Sequence, residues 1–326
     1  MKFATMPADG PDGRLHLVSR DLTRCAPAKS VHTLQALLED WDRHAPALEA
    51  QYSALNAGGG TAFDPARALA PLPRAWQWLD GSAFDSHGDL MAQVFGLDEN
   101  PKGRPLMYQG LSDCFLPASA DVPLPSEDDG IDFEGEFGVI CDTVPMGTGA
   151  AQAAGHIRLL VQINDWSLRT IGPIEMRTGF GWVQAKPACS MAPVAVTPSE
   201  LGAAWRDARV DLPLVVEWNG THFGAAEGYA MTYGFDALVA HAARTRDLVA
   251  GTVIGSGTVS NPDFRTIGSS CIAERRGIEI LDEGGPRTGY MRFGDRVRME
   301  CRLRDGTPLF GPIDQRVVAA PCAGAA

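Results

Sequence analysis

The sequence predicts an α+β chain that is mainly β, with a small αβ piece ahead of a larger strand-rich part. Three observations predict it. The chain carries 36 glycines and 23 prolines in 326 residues, which suits turns and loops better than a helical bundle. Helical periodicity dominates only the first 72 residues, next to a strand. Beyond residue 72, apolar runs alternate with Gly/Pro turns. At 45% hydrophobic residues, the length suffices for a large domain plus a small one, here 1–72 and 73–326.

In order, Leu15–Leu22 alternates loosely and reads as a strand. Ser30 is placed to cap a helix whose apolar face is Leu34, Leu37, Leu38 and Trp41. Pro46 breaks that pattern or starts the next turn, and Leu48, Tyr52 and Leu55 form a second stripe. Asn56–Pro65 is the most linker-like stretch, and Ala70–Gly81 is extended and Pro-rich. Phe137–Val144 and the apolar run His156–Asp165 read as strands, the latter buried. Asp211–Phe223 is a hairpin turning at Asn219-Gly220. Phe235–Gly251 reads as a helix stopped by Gly251, and Thr252–Asn261 as a Gly-broken strand or loop. Asp295–Gly306 alternates cleanly, with Val297, Met299, Cys301 and Leu303 on one face. No internal repeat is visible.

Several function classes are excluded. A formal net charge of −12 lacks the basic footprint of a nucleic-acid binder. No run reaches the roughly 18 apolar residues of a membrane span, and the start lacks a signal-peptide core. Seven scattered cysteines with no C-x-x-C spacing argue against a disulfide framework or structural zinc, so reduced thiols in the cytoplasm are expected. The G-x-G of Ile254–Thr258 lacks the third glycine and the following helix of a dinucleotide fingerprint. There is no G-x-S-x-G elbow.

The chemistry concentrates on carboxylates. In "DFEGEF", Asp132–Phe137, strand alternation puts Glu134 and Glu136 on one face about 7 Å apart. Such a pair either meets solvent or, held in a partly buried place, takes up a proton or a cation. A hard divalent ion with oxygen ligands answers the second case. Asp165 stands where the apolar run ends, either capping a turn or joining the same site.

Together "GIDFEGEFGVICDTVPMG", "INDWSLR", "KPACSMAPVAVTP" and "GSGTVSN" resemble the fumarylacetoacetate hydrolase family, over about residues 76 to 316. The order E-x-E, N-D-x-S-x-R, lone Lys, G-T-x-S is far more specific than any piece. The resemblance implies a β-roll with flanking helices and a small αβ N-terminal domain, as in longer members. It implies that Glu134, Glu136, Asp165 and Asp80 bind Mg²⁺, Mn²⁺ or Ca²⁺, with Asp85 the rival to Asp80. Asp80 precedes His87 by seven residues, the family's spacing for its base. Arg169, Lys186, Tyr108 and Thr258 match residues that contact substrate carboxylates or the developing oxyanion.

The implied chemistry is hydrolysis of a carbon–carbon bond in a diketo acid or acylpyruvate, a step of aromatic catabolism. The resemblance implies a small anionic oxo-acid substrate, His87 as the base and a homodimer. A decarboxylase or isomerase acting on a 2-oxo acid, or a non-catalytic ligand-binding homologue, are the alternatives. One departure bears on hydrolysis. The glutamate that partners the histidine falls on Ile272 here. Glu274 lies two residues on, displaced by about 7 Å if the segment is a strand.

Overall fold

In the computed structural model, which describes residues 1–96 and 103–321, two β-sheets pack against one another. Cys322 lies outside the described residues. Across the larger, twelve-stranded sheet the order is Thr61–Ala62, Arg24–Pro27, Arg14–Val18, Lys2–Met6, Ala195–Val196, Ile157–Asn164, Gly135–Cys141, Val253–Gly255, Trp78–Ser82 and Leu106–Gln109. Two short strands, Leu116–Pro117 and Ser190–Met191, attach beside this path. The smaller sheet runs Thr221–Glu227, Pro213–Trp218, Arg296–Glu300, Ile313–Ala319 and Val122–Leu124.

The two central strands explain their own sequences. Gly135–Cys141 is buried along its whole length. Val139 and Cys141 enter the core shared with the second sheet, through Leu214, Met299 and Ile313. Ile140, Leu159 and Val161 face the other way, onto Leu34, Leu37, Leu48 and Tyr52 of the N-terminal helices. With both faces covered, the strands read as continuous apolar runs. Gln162 ties the layers together, donating to the Met299 carbonyl and accepting from Cys301 N–H. Gly135 sits close under the second sheet, where a Cβ would come 2.9 Å from the Leu214 side chain.

Local differences from the sequence reading have physical causes. Thr33, not Ser30, caps the first helix, Leu34–Glu39, accepting from Ala36 N–H. A second helix, Trp41–Asn56, runs through Pro46 rather than breaking there. The predicted Phe235–Gly251 helix stops at Ala242. Leu248 is buried by pairing with Val144 as a two-way β-bridge rather than by a helix face. The segment after Ser270 is helical, Ile272–Glu283, not a strand. Among the described residues, no helix is long and apolar enough to cross a membrane.

Candidate metal centre and active site

Strand register brings the first carboxylates together. Glu136 and Gly138 share a face of their strand. Gly138 pairs with Gly255, and Gly255 with Asp80, so Asp80 rises on the same face as Glu136. A Cβ on Gly255 would lie 2.4 Å from Asp80 Oδ1, so the glycine makes room for that carboxylate. Asp165 follows the neighbouring strand and is anchored by its N–H on the Glu134 carbonyl. Carboxylate oxygens of Asp80, Glu136 and Asp165 all lie within 4.8 Å of one another, and all three residues are buried. Asp85 is exposed at the start of the next helix, so the geometry favours Asp80 over its rival.

These groups fit a divalent cation. Both oxygens of Glu136 are buried without a hydrogen-bond partner. Burial first, then repulsion from Asp80 and Asp165, pushes the Glu136 carboxyl far above the ordinary carboxylate range. Burial and Asp165 do the same to Asp80. A cation between them would supply the missing partner and relieve the repulsion.

Glu134 stands outside that triad. It accepts from Lys186 Nζ at 2.9 Å, Ser167 Oγ at 2.5 Å and Thr258 Oγ1 at 2.5 Å. Arg169 Nη2 lies 2.8 Å from the same carboxylate, close as an ion pair though not aligned as a hydrogen bond. Burial opposes ionisation, but Arg169 and Lys186 outweigh it and hold Glu134 well below the ordinary range. Lys186 also donates to Asp165 Oδ2 at 2.6 Å. Burial works against its charge, yet Asp165 and Glu134 keep it an ammonium. Tyr108 donates to Asp165 Oδ2 at 2.6 Å, and Cys189 Sγ–H to Oδ1 at 2.8 Å. Trp182 lies edge-on to Tyr108, ring centres 4.7 Å apart, and 5.8 Å from Lys186 Nζ.

Glu274 comes near His87. Because the chain turns helical at Ile272, Glu274 lies in the first turn, and its Oε1 comes 3.7 Å from His87 Nδ1. The 7 Å displacement expected of a strand does not arise. Ser260 donates to Glu274 Oε1, while Glu274 Oε2 and His87 Nδ1 are buried and unpartnered. One short segment strings the site together. Gly257 N–H donates to Asp80 at 3.1 Å, Thr258 to Glu134, and Ser260 to Glu274.

Asp132 was not singled out from sequence, yet it is the hub. Its fully buried carboxylate accepts from Ile272 N–H at 2.7 Å, Ala273 N–H at 2.9 Å and Arg169 Nε at 2.8 Å. It therefore holds the N-terminus of the Glu274 helix and the Arg169 guanidinium at once. The signal was available: Asp132, Glu134 and Glu136 follow the same alternation. Cys271, whose Sγ accepts from Glu274 N–H, gives the spacing of a capping box and marks the helix start.

The profile described as fumarylacetoacetate (FAA) hydrolase, C-terminal, matches residues 77–318, and that of fumarylacetoacetase N-terminal domain 2 matches residues 1–74. No protein of curated function matches the sequence. Among solved structures, a putative HpcE protein from Mycobacterium smegmatis is similar at 20% identity, with TM-score 0.69, over 98% of this chain and 100% of that one. A maleylpyruvate hydrolase from Sphingobium sp. SYK-6, in complex with manganese(II) and pyruvate, is 16% identical with TM-score 0.66, covering 98% and 100%. A fumarylpyruvate hydrolase from Pseudomonas aeruginosa, in complex with Mn²⁺ and pyruvate, is 15% identical with TM-score 0.54, covering 75% and 90%.

Proposed function

The chain belongs to the fumarylacetoacetate hydrolase family, and from that premise we propose that it hydrolyses a carbon–carbon bond of an acylpyruvate or other diketo acid. The observation that carries the proposal is the His87–Glu274 pair, tied through residues 257–260 to a buried carboxylate triad. Asp80, Glu136 and Asp165 would hold Mg²⁺, Mn²⁺ or Ca²⁺, with Glu134 as the fourth carboxylate once substrate draws Lys186 and Arg169 away. The cation supplies Lewis-acid stabilisation of the enolate charge.

His87 takes a proton from water, and the resulting hydroxide adds to the distal carbonyl. The carbon–carbon bond breaks, its electron pair passing into the enolate of the oxo acid, and His87 returns the proton. Glu274 orients the imidazole and stabilises its protonated form, as a carboxylate does for a catalytic histidine elsewhere. Lys186 and Arg169 pair with the substrate carboxylate, and the Tyr108 and Thr258 hydroxyls would turn from Asp165 and Glu134 to donate to its oxygens. A decarboxylase or isomerase needs no attacking water, so the buried Glu274 beside His87 favours hydrolysis. A separate N-terminal domain over 1–72, a homodimer and a cytoplasmic location belong to the same reading. Scattering in solution checks the dimer.

The direct test is to add fumarylpyruvate, acetylpyruvate or oxaloacetate to the purified protein with Mn²⁺ or Mg²⁺. Loss of enol absorbance of the two acylpyruvates, with release of pyruvate and a second carboxylic acid, is expected. Release of CO₂ from oxaloacetate, with both acylpyruvates untouched, would replace hydrolysis by decarboxylation.

A further inference from the structure

The strand pair that carries Asp80 and Tyr108 has a second face. Asp80 pairs with Tyr108 across the ladder, Leu79 with Gln109 and Gly81 with Met107. Side chains alternate, so Asp80 and the Tyr108 phenol project toward the carboxylate triad, and Leu79, Met107 and Gln109 project away from it. The Phe235–Ala242 helix packs on that far face, where a Cβ on Gly81 would come 3.3 Å from Leu238. Its last turn and the turn beyond bring His241, Arg244 and Arg246 to the lining of a cavity of about 530 Å³, which Arg104 and Tyr108 also line.

Leu79, Met107 and Ala242 supply apolar lining, and among the described residues no aspartate or glutamate lines the cavity. Three guanidiniums and an imidazole are thus gathered on a chain of net charge −12. The His241 ring is held below its usual basicity by burial and then by Arg104 and Arg244. Guanidinium forks suit planar carboxylates and phosphates, and a cavity of this size suits a small ligand.

We propose that this cavity is a second binding site, on the opposite side of the sheet from the carboxylate triad, for a small organic dianion. The arginines take its charged ends and the apolar lining its skeleton. This inference does not rest on the catalytic reading.

Calorimetric titration of the full-length protein with succinate and with inorganic phosphate, at low salt without divalent metal, tests it. Saturable binding of at least one probe is expected. Arg244→Ala/Arg246→Ala should weaken it by about tenfold per arginine, the worth of a charged contact. Asp165→Asn should leave it intact. Preference for succinate assigns the carboxylate class, and preference for phosphate the phosphate class. The proposal is overturned if neither probe saturates, if the double variant binds as well as the parent, or if binding disappears in Asp165→Asn. Anion-independent self-association abolished by the double variant, with no saturable binding, would assign the face to a second copy of the chain instead.

Discussion

The most informative residues are those whose partners are other charges. Glu136 has two buried oxygens without a hydrogen-bond partner and is crowded by Asp80 and Asp165. Glu136→Gln and Asp165→Asn should each lower Mn²⁺ affinity by at least about 100-fold in calorimetry, more than outer-shell partners usually cost. Retained affinity in both would remove the metal site from the triad. Glu274→Gln should leave Mn²⁺ affinity unchanged and lower kcat by roughly 10²- to 10⁴-fold, the usual range for general-base chemistry. Asp132 makes a different prediction. Removing one partner of a buried pair costs about 3–5 kcal/mol, so Asp132→Ala should shift the urea midpoint sharply while its neighbours Arg169 and the helix N-terminus lose their anchor.

At the scale of elements, the site depends on a sheet in which Gly255 clears space for the Asp80 carboxylate. On the Val253–Gly255 strand, a Cβ at Gly255 would lie 2.3 Å from the Trp78 ring and 2.4 Å from Asp80 Oδ1. Gly255→Ala should cost about 1–3 kcal/mol in thermal or chemical unfolding, as overpacking does, and also weaken Mn²⁺ binding by displacing Asp80. A loss of stability with unaltered metal affinity would show that Asp80 does not need that space. The Ile272–Glu283 helix is the other decisive element. Its N-terminus rests on Asp132, so a single element fixes Glu274 and is fixed by the strand that bears the other glutamates.

At the scale of the whole molecule, folding forces like charges into one buried place, and stability depends on what neutralises them. Asp80 and Glu136 have folded-state pKa values raised above their unfolded ones. The stability associated with their protonated forms is present below the unfolded carboxylate pKa and is lost as pH rises through the raised, folded values. Metal-free protein should therefore melt at a lower temperature as pH rises through that window. Mn²⁺ at 100 times its Kd should restore about 2.7 kcal/mol at neutral pH. Cation uptake should release protons and weaken as pH falls, measurable by titration in buffers of different ionisation enthalpy. A melting temperature indifferent to Mn²⁺ at neutral pH would contradict this linkage.

Strand alternation and motif order in the sequence pointed to a strand-rich fold, the family, and the residues where carboxylates and cations gather. "DFEGEF", "NDWSLR" and "GSGTVSN" are local strings, and local strings report alternation and spacing well. What they cannot report is which carboxylate faces which neighbour. Only the tertiary structure separated Glu134, bonded to Lys186 and Thr258, from the Asp80, Glu136 and Asp165 triad, because that division depends on strands and loops far apart in sequence. Only it made Glu274 the partner of His87, because a helix presents its residues at a different angle from a strand, and Asp132 was there to cap that helix.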